Sequence, residues 1–200
     1  MSTGLRAQKK QETRQNISHV ATRLFIDRGF DVVTIAEVAE AARVAKMTVT
    51  NHFARKEDLV FDIRTEFVVW PAELVRQRPS DTAFEAIRDG FFAALDERSA
   101  LLGFAEVPFV RMIRDSERLV SALTEMHLDR ERELAGALLD RDPRGGILPR
   151  AAAAHLTSVL RLLFDDVWDL TFAGAADLVP KVRRSARKAF DQLEPALAEV

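Results

Sequence analysis

The chain contains no cysteine, which excludes a disulfide framework and a cysteine nucleophile. No run of about eighteen apolar residues occurs, so the sequence offers no membrane-spanning helix. Its first residues are not the charged start and apolar run of a secretory signal peptide. Glycine-rich phosphate loops are absent as well. The four histidines, His19, His52, His127 and His155, are scattered, and no H-x-x-x-H or E-x-x-H pair brings one near a second ligand. Asp165 and Asp166 are adjacent, and on a helix they project about 100 degrees apart. The sequence therefore points away from an enzyme, calls for no cofactor or metal, and fits a cytoplasmic home with no membrane partner.

What is present is apolar residue at helical spacing. At 200 residues and 48% hydrophobic, the chain can bury a substantial core in one to two domains. The net charge of -2 conceals an asymmetry. Residues 1–56 hold ten Lys/Arg and five Asp/Glu, net +5, and the remainder nineteen and twenty-six, net -7. A basic end on an otherwise acidic protein suits contact with a phosphate backbone, where Lys and Arg displace condensed counterions.

The basic end reads as three helices. The spacing of Ile17, Val20, Ala21, Leu24 and Phe25 predicts a helix over about 11–28, closed by Gly29 as a left-handed cap. Residues 1–9 read as a loose polar arm, with Arg6, Lys9 and Lys10 in reach of phosphates. Thr34 is an N-cap for a two-turn helix whose apolar face is Ile35, Val38, Ala39 and Ala42. After Arg43 and Val44 a second short helix, about 45–53, carries Val49 and Phe53 on one side. Lys46, Thr48, Thr50, Asn51 and His52 lie elsewhere on it. A helix with so little apolar surface is free to meet a polar partner, as the second helix of a helix-turn-helix does in the DNA major groove.

Beyond it the sequence continues as helices. Lys56 to Leu59 opens a longer helix with a Leu59, Ile63, Phe67, Trp70 stripe that ends or kinks near Pro71. A second region starts near residues 78–81, capped by Ser80 or Asp81, and leads into Phe84, Ile87, Phe91, Phe92 and Leu95. Helices follow at about 104–115 and 117–140, the latter with Leu119, Leu123, Met126, Leu134 and Leu138, then a Pro- and Gly-rich loop over 140–149. Between 150 and 172 one seam is Leu156, Leu160, Leu163, Val167 and Leu170, and another is Phe164, Trp168 and Phe172. The terminal helix, about 177–197, repeats a seam at Val179, Val182, Ala186, Ala189 and Leu193. Two seams on one helix call for partners on both sides, which predicts a homodimer through a four-helix bundle of these last two helices. The expected fold is all-α: a helix-turn-helix domain over 1–56, a connecting helix over 57–78 and a helical-bundle domain over 79–200.

Residues 21–60 combine L-F-x-x-x-G-F, T-I-x-x-V-A-x-x-A, K-x-T-V-T-N-H-F and K-E-D-L, and in that order and spacing they resemble the DNA-binding domain of TetR-family transcriptional regulators. The resemblance covers about 50 residues by motif and the rest by helix count. It implies a regulator, most often a repressor, released from palindromic double-stranded operator DNA when a small apolar effector binds the C-terminal domain. Thr34 and Lys56 would then hold phosphates, Lys46, Thr48, Thr50 and Asn51 face the groove, and His52 lie near a phosphate. Two positions depart from the family: Arg43 stands where glycine is frequent in the turn, and could add a phosphate contact, and Thr50 where tyrosine is frequent. Phe67, Trp70, Phe91, Met112, Met126, His127 and Trp168 could line the effector cavity. The competing expectation is a dimeric DNA-binding protein without effector, whose second domain only dimerises.

Overall fold

The computed structural model describes the backbone of residues 2–197 and the side chains of residues 8–197. Among these residues every regular element is helical: α1 (Ser2–Arg28), α2 (Ile35–Ala41), α3 (Lys46–His52), α4 (Arg64–Gln77), α5 (Ala83–Asp96), α6 (Val107–Arg114), α7 (Glu117–Arg141), α8 (Leu148–Phe172) and α9 (Leu178–Leu197), with single 3-10 turns at Glu57–Leu59 and Ala100–Leu102. No helix among them is long and apolar enough to cross a membrane. The chain divides into two compact units. One is the chain up to Arg64 together with Pro108–Ala122; the other is Thr65–Val107 with the chain from Leu123 onward. The segment Pro108–Ala122, which lies in the second region by sequence, thus packs with the N-terminal helices.

In the first unit, Ile17, Ala21 and Phe25 of α1, Val38 of α2, Val49 of α3 and Val33 between them are fully buried. Each of these side chains except the smaller Ala21 contributes about 1.5–3 kcal/mol by leaving water, and together they hold α2 and α3, which are too short to persist alone, against the longer α1. Phe25 meets Phe30 edge to face at 5.0 Å, and Gly29 between them takes the expected left-handed turn at φ +93. α1 begins at Ser2, not near residue 11, so the loose arm is instead helix. The helical backbone extends across Lys9 and Lys10, and the side chain of Arg6 lies outside the described residues.

The helix expected to open at Lys56 opens at Arg64. Residues 57–59 form only a 3-10 turn, whose start is closed by Arg55 N donating to Asp58 Oδ2 at 2.9 Å. Pro71 lies inside α4, which continues to Gln77. In the second unit α5 is capped by Thr82, one residue beyond the expected Ser80 or Asp81, through a capping box with Glu85. The two seams of α8 are largely covered within one copy of the chain. Leu156, Leu160, Leu163, Phe164, Val167 and Trp168 are all at most 6% exposed, because α9 and the 100–102 turn pack against this helix. Val182 and Ala186 of α9 are buried as expected, joined by Phe190. The large apolar residues left open on α8 are Leu148 at its first position, 67% exposed, and Leu162 at 55% and Phe172 at 41% further along.

Candidate nucleic-acid interface

The interface is built around the turn between α2 and α3. Thr34 caps α2: its hydroxyl accepts from Glu37 N at 3.2 Å, and Glu37 Oε2 accepts from Thr34 N at 2.8 Å. Glu37 is also paired with Arg28 at 2.6 Å. The backbone bond from Thr34, then the Arg28 partner, hold the Glu37 carboxyl down at about 2. α2 ends with Val44 N donating to Ala39 O at 2.9 Å and Arg43 N to Glu40 O at 3.0 Å, the paired bonds of a Schellman motif. The motif demands a left-handed residue after the helix, and Arg43 supplies it at φ +56. The turn therefore has the geometry that glycine adopts most easily, with an arginine in that place.

α3 is positioned by its two apolar side chains, Val49 fully buried and Phe53 4% exposed. At 100 degrees per residue, Met47 and Asn51 fall opposite Val49, with Thr50 and Thr48 on either flank. Lys46, Met47, Thr50 and Asn51 are exposed, and Thr48 and His52 half-buried. Thr50 Oγ1 donates back to Met47 O at 3.1 Å, which leaves its lone pairs facing outward. Met47, 69% exposed, is the member of this face that sequence reasoning passed over. Its phase relative to Val49 was the available signal.

Arg14 of α1 secures the far end of α3. Its Nη1 donates to His52 O at 2.5 Å and its guanidinium lies 4.3 Å from the Phe53 ring centre, satisfying a carbonyl that the helix end leaves open. Beside it a groove is lined by Lys10, Gln11, Arg14, Asn51 and His52. His52 is held neutral more firmly than a free imidazole, first by burial and then by the charges of Lys10 and Arg14. It can offer one N–H to an anion rather than a charge. Ser18 Oγ lies 3.0 Å from both Leu59 O and Asp62 Oδ2, tying α1 to the segment after α3. Lys56 is half-buried: its ammonium donates to Phe30 O and sits 4.3 Å from the Phe30 ring centre, and burial lowers its pKa. One of three ammonium donors is thus engaged.

The proposed effector residues separate into groups. Phe67 and His127 meet at 5.2 Å, His127 and Phe164 at 5.3 Å, and Phe164 and Trp168 at 4.9 Å between ring centres. Trp70 joins them through Arg130, whose guanidinium carbon is 3.4 Å from the Phe67 ring centre and 5.9 Å from that of Trp70. Phe91 instead meets Phe92 and Phe190, and Phe190 meets Phe84, in a separate α5–α9 cluster. Met112 belongs to the other compact unit, and Met126 is buried, 2% exposed. Sequence reasoning left Phe164 out of this group and missed Arg130 altogether. The signal for Arg130 was an arginine in phase with Met126 and Leu134. Among the described residues no group of three or more His, Asp or Glu is placed to hold a metal.

Residues 17–63 match the sequence family described as bacterial regulatory proteins, tetR family. The chain is 30% identical over 138 residues to TcmR, a helix-turn-helix transcriptional regulator of Streptomyces glaucescens, an alignment covering 68% of this chain and 61% of TcmR. It is 43% identical over 56 residues to AcrR of Shigella flexneri, covering 28% and 26%. The chain thus spans about three fifths of the first relative and about a quarter of the second. Among solved structures it shares its fold with NalD, the secondary repressor of a multidrug efflux pump in Pseudomonas aeruginosa, with a TM-score of 0.61 and 20% identity over 92% of this chain and 96% of that one. The SmeT–triclosan complex superposes with a TM-score of 0.58 at 20% identity, covering 92% and 91%.

Proposed function

The chain belongs, through residues 17–63, to the TetR family of bacterial regulatory proteins, and from that premise we propose that it binds a palindromic operator as a homodimer and represses transcription until an effector releases it. The observation that carries the reading is the outer face of α3. Lys46, Met47, Thr50 and Asn51 are exposed while Val49 and Phe53 anchor the helix, and this occurs in the basic part of an acidic chain.

In this reading Thr48, Thr50 and Asn51 offer hydroxyl and amide groups to base edges, and Met47 offers an apolar contact to a thymine methyl. Lys46 and Arg43 hold phosphates at the start of α3 and at the turn, with the Thr34 backbone, His52 and the two remaining donors of Lys56 around them. A dimer through α8 and α9 sets two α3 helices about 34–36 Å apart, the spacing of successive major grooves. An effector acts by favouring a spacing that does not fit. SmeT, which shares the fold, has been solved with triclosan, and NalD is a repressor, which supports an effector-bound repressor here. The site of action is the cytoplasm, where the operator is.

The test is selection of bound fragments from genomic DNA by the purified protein, followed by titration of a selected fragment at several salt concentrations. Lys46→Ala is expected to weaken binding and to lower the slope of log affinity against log salt by about one per protomer. An unchanged slope removes Lys46 from the phosphate contacts, and failure to enrich any fragment overturns the regulator reading.

A further inference from the structure

Arg130 is the buried group that DNA binding does not use. It occupies the apolar stripe of α7 and is 1% exposed. Its Nε donates to Phe67 O at 2.9 Å and its Nη2 to Leu101 O at 3.2 Å. The first acceptor is open for a covalent reason. Pro71, four residues along α4, has no N–H to give the Phe67 carbonyl, and Arg130 takes the place of that lost bond. Both acceptors are neutral, and among the described residues no carboxylate pairs with this guanidinium. Burial lowers its pKa to about 9, so it stays charged at neutral pH. His127, one turn earlier, is pushed down to about 3, chiefly by burial and then by the charges of Arg130 and Arg161, and adds no charge of its own.

A charged guanidinium among Phe67, Trp70, His127, Phe164 and Trp168 is thus met by two carbonyl dipoles and by the ring faces of Phe67 and Trp70, with no anion paired to it among the described residues. Buried cations are ordinarily paired with anions, and charge-assisted bonds to a carboxylate are roughly twice as strong as those to neutral acceptors. Taking the second unit as the effector domain, as in the function proposed above, we propose that its ligand is an organic acid. Its carboxylate is received by Arg130, and its apolar body packs against Phe67, Trp70, Phe164 and Trp168. The same contact reaches the helix that leads out of the DNA-binding unit. A carboxylate that draws Nε away from Phe67 O removes the bond that stands in at the Pro71 break and changes the conformation open to α4. Recognition and response then share one side chain.

The chain's two tryptophans are Trp70 and Trp168, both at this cluster, so intrinsic fluorescence reports on it directly. The full chain is titrated with decanoate and with biphenyl-4-carboxylate, each beside its own primary alcohol, by fluorescence and by calorimetry. At least one acid is expected to bind about tenfold or more tightly than its alcohol. Arg130→Gln is expected to remove the preference, and Arg130→Lys, which keeps the charge but not the fork, to retain part of it. Should Arg130→Gln fail to fold, the wild-type comparison decides. Equal affinity for acid and alcohol, or no saturable binding of either acid up to about 1 mM, overturns the proposal. Selection of DNA fragments needs no ligand, so the two readings fail separately. DNA binding without acid preference overturns the anion site alone, and acid binding that leaves affinity for a selected fragment unchanged overturns the effector reading alone.

Discussion

Replacing Arg43 with glycine separates the mechanical role of this residue from its electrostatic one. At φ +56 its Cβ crowds the following carbonyl oxygen, at a cost of about 1–2 kcal/mol for an L-residue. Glycine removes that strain but loses about 0.5–1 kcal/mol more backbone entropy on folding. The net expectation for Arg43→Gly is a gain of about 0.5–1 kcal/mol in the stability of the turn, or amide exchange in α2 and α3 slowed about two- to fivefold. Hydrogen exchange is the right assay, because both tryptophans lie in the other unit. The molecule also supplies a control. Arg98 takes φ +51 after α5, with Ser99 N donating to Ala94 O and Arg98 N to Leu95 O, the same paired bonds on a helix remote from α3 in sequence. After α8 the corresponding position is Gly174 at φ +64. Arg98→Gly should slow exchange by a similar factor and leave DNA affinity alone. Arg43→Gly should weaken DNA binding and flatten its salt dependence. Equal or faster exchange in Arg43→Gly refutes the strain argument, and unchanged DNA affinity refutes the idea that a phosphate contact offsets it.

Two further outcomes follow from other parts of the molecule. His127 is lowered from 6.5 to about 3, so below pH 6.5 the unfolded chain takes up a proton that the folded chain refuses. The stability due to this group is fully present above pH 6.5 and is lost as pH falls toward 3, about 2 kcal/mol of it between pH 7 and 5. In urea titrations His127→Leu should lack that part of the decline; a wild type and a variant that fall in parallel would show that His127 does not govern it. On α8, Leu162 is 55% exposed beside a groove with Asp166 and Asp169 on one wall and Lys181, Arg184 and Lys188 on the other. If a second copy covers this face, two copies of Leu162→Glu should cost about 3 kcal/mol or more, more than a hundredfold in dimer affinity. Light scattering should then give a monomer mass with helix content by circular dichroism unchanged, whereas a persistent dimer moves the interface elsewhere.

The parts of the molecule that were readable from sequence are those decided by local rules. The α2 cap at Thr34, the left-handed turn at Gly29, and Val49 and Phe53 as the anchors of α3 each depend on residues within one turn of one another. The helix boundary expected at Lys56 was misplaced because Asp58 caps a 3-10 turn instead, and the side chain of Lys56 turns back to Phe30, twenty-six residues away. The coverage of the α8 seams was misjudged for a related reason. Periodicity tells which face is apolar, but α9 and the 100–102 turn decide how much of it one chain can bury. Phe91, Met112 and Phe67 look alike as apolar residues on different helices, yet they lie in different clusters, since side-chain neighbourhood depends on helix crossings that spacing does not encode. Arg130 is the instructive case. An arginine in an apolar stripe is a local inconsistency visible in the sequence, and so is a proline in the middle of a helix. That each resolves the other, with the guanidinium bonding the carbonyl the proline cannot reach, became visible only once α4 and α7 were packed together. Positions where two local rules fail at once are therefore where a search for the effector's contact should begin.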